Sequence, residues 1–169
     1  LVPLGSILLA FVGGAVADRW GPRIPSTLGL LLMAAGIASL GFVESTTSLT
    51  SVAPRLFLIG IGQGFFISPN SSSIMGALPG NRLALAGGFL AWSRTFGVSV
   101  GQATWGAIFA VVVISASGIP VALEAGADAM QAGFRAVYLS AAAMLLVAAF
   151  LSSFRGRVDQ PAGSSTTSG

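Results

Sequence analysis

Long apolar runs alternate with short polar breaks along this chain. Each run approaches the ~20 residues that a helix needs to cross a hydrocarbon layer about 30 Å thick. Five such runs stand at about 1–17, 26–43, 54–78, 83–115 and 134–154, so the pattern predicts an all-α integral membrane protein with five transmembrane helices. The first run is apolar from Leu1, without a basic leader or an initiator methionine, which predicts a helix that starts upstream and a chain that is a fragment of a longer protein. Pro25 and Ser26 predict the entry to the second span, and Pro54 reads as a first-turn proline of the third. The fourth run exceeds what a bilayer requires, so it is expected to be tilted, kinked or projecting. A polar connection over 117–133 is expected to hold a short surface helix at 127–132, and residues 155–169 to form a disordered cytoplasmic tail.

Charge gives the spans a direction. Arg19, Arg23, Arg82, Arg155 and Arg157 fall on one side of a five-span arrangement, Arg55 and Arg135 on the other, and Arg94 within the fourth span. Basic residues collect on the cytoplasmic side, so that side is expected to hold the Asp18 turn and the C-terminus, with the protein integral to the cell membrane.

Composition narrows the chemistry. The chain is 54% hydrophobic and 8% charged, with a mean hydropathy of +0.88, whereas soluble domains carry about a quarter charged residues. All eight cations are arginine, and the high pI follows from a scarcity of acids, so nucleic acid is not an expected partner. Cysteine and histidine are both absent, which removes disulfides, thiolate metal sites and the usual general bases and zinc ligands. No constellation for hydrolysis, phosphoryl transfer or metal chemistry is present, so neither an enzyme nor a cofactor is expected.

Three groups of residues stand out. In the third span, Gly60, Gly62 and Gly64 permit close backbone approach, and Gln63 and Asn70, seven residues apart, share a helix face beside Pro69. Pro69 should kink the helix and free a carbonyl near Phe65 or Phe66. These amides either line a cavity, as broken helices do in transporters, or form interhelical hydrogen bonds. In the fourth span, Arg94 shares a face with Gly87, Gly97, Gly101 and Trp105, a face expected to pack against protein and not lipid. An ionisable side chain within a membrane is either functional or long enough to reach the headgroups. Third, Gly14, Asp18, Arg19, Gly21 and Arg23 make a charged turn after the first span, in which Asp18 suits a helix N-terminus and the two arginines suit acids or lipid phosphates.

The pattern Gly-x-x-x-Asp-Arg-x-Gly-x-Arg at Gly14 to Arg23 resembles the signature loop of the major facilitator superfamily, which follows the second helix and recurs after the eighth. Pro22 stands where that family often has another basic residue. Segments 60–70 and 87–101 are similar to the C-terminal half of its fourteen-helix drug:proton antiporter branch, of EmrB/QacA type. The resemblance covers the chain up to Phe154. It implies five helices of the C-terminal half of a secondary transporter that carries out multidrug efflux by proton antiport through alternating access, with Gln63, Asn70, Arg94, Gly97 and Gly101 in the substrate cavity or inter-half packing, and the Asp18 turn as a cytoplasmic gating loop. The implied partners are the lipid bilayer, the missing N-terminal half, a small-molecule substrate and protons. Because no Asp or Glu lies within a span, a proton-driven mechanism would place its titrating carboxylate in the missing portion or use a group other than Asp or Glu. An importer of sugars or organic acids and a non-transporting membrane scaffold or sensor are the alternatives.

Overall fold

The computed structural model describes residues 2–43, 47–76, 79, 82–118 and 126–154, without the side chains of Leu8, Phe11, Asp18 and Trp20. Five helices follow one another: α1 Val2–Trp20, α2 Arg23–Leu40, α3 Leu49–Gly76, α4 Leu83–Ser117 and α5 Ala127–Ser153. Helices α2 to α5 are each long and apolar enough to cross a membrane, while the apolar part of α1, Val2–Ala17, is shorter. In hydrocarbon every backbone N–H and C=O must be satisfied internally, which is why apolar runs of this length adopt helix.

The helices lie side by side in the order α1, α3, α2, α5, α4. Contacts fix their directions. Val2 lies against Gly60 and Gly14 against Ser68, so α1 and α3 run parallel. Gly29 meets Phe66 while Gly36 meets Ile59, so α2 is antiparallel to α3. Gly41 touches Leu139 and Arg23 reaches Ser153, so α5 returns antiparallel to α2. Phe109 and Val113 of α4 pack on Gly133 near the start of α5.

Glycine sets the closeness of the first two seams. A Cβ on Gly64 would stand 2.7 Å from the Ser6 carbonyl oxygen of α1, and one on Gly62 would stand 2.5 Å from the Gly29 carbonyl oxygen of α2. Gly60 likewise abuts the Val2 carbonyl. At about 100° per residue, Gly60 and Gly64 share one flank of α3 and Gly62 lies on the opposite one. Two-residue spacing thus lets one helix be approached by two neighbours at once. The gain is dispersion and backbone proximity, since lipid removes the hydrophobic drive between helices.

Several helix ends differ from the sequence expectations. Helix α1 continues to Trp20, which puts Asp18 and Arg19 in its last turn; Gly21 then ends it at φ +82°, donating its N–H to the Ala17 carbonyl at 2.9 Å. Helix α2 starts at Arg23, three residues earlier than expected. Helix α3 starts at Leu49, where the Ser48 hydroxyl accepts from the Thr50 N–H at 3.4 Å, so Pro54 is inside the helix and not in its first turn. Helix α5 runs unbroken from Ala127, so 127–132 is no separate helix and Gly133 no linker. Gly133 is helical because its missing side chain admits Phe109 and Val113, the latter fully buried. Asp128 stands in the first turn of α5, favourable to the positive end of the helix dipole. The expected tail at 155–169 lies outside the described residues.

Candidate functional site

The candidate residues divide between two surfaces and one helix end. Gln63 and Asn70 lie on α3 along the arc between its two glycine-lined flanks, and both are half-buried. Asn70 is engaged by a partner, whereas Gln63 has no hydrogen bond among the described residues. Helix α3 runs through Pro69, which is buried. Proline has no N–H, so the Phe65 carbonyl loses its usual donor four residues on. The Ser73 hydroxyl donates back to the Pro69 carbonyl at 2.8 Å, which supports the turn after the proline. Ser26, one turn before Gly29 on α2, is 2% exposed, and its hydroxyl has no partner among the described residues.

Arg94 and Gly97 are exposed on α4, and Gly101 is half-buried. A Cβ on Gly87 or Gly97 would meet nothing, and one on Gly101 would meet only Trp105 of the same helix, at 3.6 Å. The described residues therefore leave uncovered the face that was expected to pack against protein. The opposite side of α4 carries an exposed aromatic stripe, in which Trp92 lies 6.0 Å from Phe89 and 5.3 Å from Phe96 between ring centroids. One helix thus presents two open faces of different chemistry: small residues with one cation, and stacked aromatic rings.

At the turn between α1 and α2 the contact described is one from Arg23 to a helix end. The Arg23 guanidinium donates to the backbone carbonyl of Ser153 at the end of α5, and the Thr27 hydroxyl donates to the Ser152 hydroxyl at 3.3 Å one turn deeper. The last carbonyls of a helix lack intrahelical donors and carry partial negative charge, so a cation there is stabilising. Arg23 thereby ties the start of α2 to the end of α5. Arg19 is exposed, and Gly14 lies close to the Ser68 hydroxyl, which a Cβ would approach to 3.3 Å. The Asp18 side chain lies outside the described residues.

Two features have no counterpart in the sequence reading. A cavity of about 420 Å³ opens at the far end of the bundle from Arg23, between the end of α2 and the start of α5. Arg135 lines it and lies 5.3 Å above the Phe42 ring. Arg55, inside α3, has a buried Nη1 without a partner among the described residues. Arg135 and Arg55 were read only as marks of the non-cytoplasmic side.

Among the described residues, four helices long and apolar enough to cross a membrane and the shorter apolar α1, running in alternate directions, define an all-α membrane protein. The chain is 29% identical over 108 residues to a protein named riboflavin transporter RibZ, of Clostridioides difficile, a match covering 64% of this chain and 24% of that protein. It is 33% identical over 101 residues to the uncharacterized transporter YebQ of Escherichia coli, covering 60% of this chain and 22% of that one. It is 31% identical over 97 residues to the multidrug resistance protein Stp of Mycobacterium tuberculosis, covering 57% and 18%. Its relatives are thus transporters and drug-resistance proteins, and the chain spans less than a quarter of the length of these three. No family model matches, and no solved structure matches.

Proposed function

We propose that these helices are the last five spans of a major facilitator transporter that exports drug-like small molecules by alternating access in exchange for protons, and that the chain has no enzymatic role. The observation that carries this reading is the similarity to proteins named for transport and multidrug resistance, together with the signature pattern at Gly14 to Arg23. The open Arg94, Gly97 and Gly101 face supports it, because a half-transporter needs a face for the other half and for the substrate path. Gln63, with an amide not engaged by the described residues, and Asn70 beside the interrupted bonding at Pro69 suit a cavity wall near the midplane. The Asp18 turn, at the cytoplasmic side with the C-terminus, gates the exit from that cavity. Asp128 is the one acid within the described parts of α2 to α5 and stands in a first turn, so the proton-carrying carboxylate belongs to the remainder of the protein.

The test uses the complete protein in cells stripped of their own exporters. Expression should lower the accumulation of a cationic dye such as ethidium, and collapse of the proton gradient should restore it. Unchanged dye accumulation would contradict drug export. The protein named riboflavin transporter among the relatives favours a second reading, nutrient transport. Uptake of labelled riboflavin, sugars or organic acids without any change in drug tolerance would select it.

A further inference from the structure

The cavity at the outer end of the bundle is lined by residues from three helices or their ends. Leu40 and Val43 come from the end of α2, Val52 from the start of α3, and Gln131, Phe134, Arg135 and Tyr138 from α5. Its walls are mostly apolar, and its volume of about 420 Å³ falls within the range of small-ligand sites. One fixed cation and one amide stand among those walls.

The depth of the site indicates what it would meet. Helix α2 has 18 residues and is therefore about 27 Å long, close to the hydrocarbon thickness, whereas the 27 residues of α5 make about 40 Å. Gly41, just past the end of α2, faces Leu139, whose side chain a Cβ there would meet at 3.4 Å, so the first three turns of α5 stand beyond that level. Arg135 is one turn beyond Leu139, or about 6 Å outward. The headgroup layer adds roughly 5 to 7 Å on each side of the hydrocarbon, so Arg135 lies at phosphate depth.

Arg135 is also prepared for an anion. The Phe42 ring holds its guanidinium at 5.3 Å without neutralising it, and no carboxylate pairs with it among the described residues. A guanidinium resting on a ring still presents planar N–H donors that match a phosphate in bidentate fashion. Tyr138 and Leu40 offer an apolar surface on its hydrocarbon side, and Phe134 flanks it.

We propose that this cavity binds one anionic phospholipid of the leaflet opposite the Arg19 and Arg23 face, with its phosphate on Arg135 and Gln131 and its glycerol and upper acyl chain against Leu40, Val52, Phe134 and Tyr138. The assignment rests on the membrane-spanning bundle alone and does not depend on what the protein transports. Bound there, the lipid would fill the space between the end of α2 and the start of α5.

The experiment places the full-length protein in nanodiscs containing photoreactive phosphatidylglycerol, with photoreactive phosphatidylcholine or a photoreactive fatty acid in parallel samples, and maps the labelled peptides. Phosphatidylglycerol should label residues 127–138 at least five-fold more than phosphatidylcholine does. Arg135→Gln should abolish that preference while leaving the melting temperature of the exposed-site variant unchanged, and Arg135→Lys should keep part of it. Equal labelling by the two phospholipids, or a preference that survives Arg135→Gln, would overturn the proposal. Labelling by the fatty acid with none by phosphatidylglycerol would overturn it as well. A failure of drug or nutrient transport would leave these labelling results unaffected, so the two readings fail separately.

Discussion

Glycine plays opposite parts in two regions of this bundle. Along α3, Gly60, Gly62 and Gly64 are each met by the backbone of a neighbouring helix, whereas along α4 the positions Gly87, Gly97 and Gly106 meet nothing. The first region is a finished interface, in which small residues have been used to bring helix axes together. The second has the same residue type on a helix of 35 residues whose Phe109 and Val113 pack on Gly133 of α5. Small residues on an exposed helix add no packing of their own, and glycine in a helix costs about 1 kcal/mol relative to alanine. The presence of Gly87 and Gly97 on the Arg94 face is explained if that face meets another part of the complete transporter.

The contrast can be broken most forcefully at the closed seam. Gly62→Val would put side-chain atoms within 2.5 Å of the Gly29 carbonyl oxygen and 2.7 Å of the Met33 amide nitrogen, neither of which can move without its helix. The cost should exceed the ~1–3 kcal/mol of ordinary overpacking, seen as loss of folded protein on detergent size-exclusion chromatography. Gly133→Val meets side chains instead, with Val113 Cγ2 at 2.5 Å and Phe109 at 2.8 Å. These can yield in part, so a loss of about 1–3 kcal/mol is expected, read as a lowered melting temperature with the fold retained. Arg23→Gln removes the donor at the end of α5 and should cost about 1 kcal/mol. Hydrogen exchange should show the effect as faster exchange confined to the last turn of α5. At the open face, Gly97→Leu meets no neighbour among the described residues and should raise the stability of these helices by up to about 0.8 kcal/mol through helix propensity, yet reduce transport by the complete protein.

Most of the helix count was legible from hydropathy, because an apolar run near 20 residues leaves the backbone few alternatives in lipid. The ends were not. Hydropathy registers the hydrocarbon layer, whereas α3 and α5 continue into polar stretches at Leu49–Ala53 and Ala127–Gly133. Ser48 caps one of these starts and Asp128 suits the other, signals that lie in polar segments the apolar pattern passes over. Gly133 was read as a linker because a glycine beside a polar run has that appearance; only the ring of Phe109, 24 positions away, shows why it is small. Close approach at Gly60, Gly62 and Gly64 was readable, but not that alternate members face different helices. The Arg23 to Ser153 contact joins positions 130 residues apart, and the outer cavity draws on three separate elements, so neither leaves a local pattern.

The central claim is that the Arg94 face of α4 borders the substrate path and inter-half contact while the Phe89, Trp92 and Phe96 stripe faces lipid. This chain has no cysteine, which allows single cysteines at positions 92, 96, 97 and 101 in a cysteine-free form of the complete protein, probed in membranes with a membrane-impermeant charged thiol reagent. The account predicts labelling at 97 and 101 that a transported substrate slows, with little at 92 and 96. Labelling confined to 92 and 96 would contradict it.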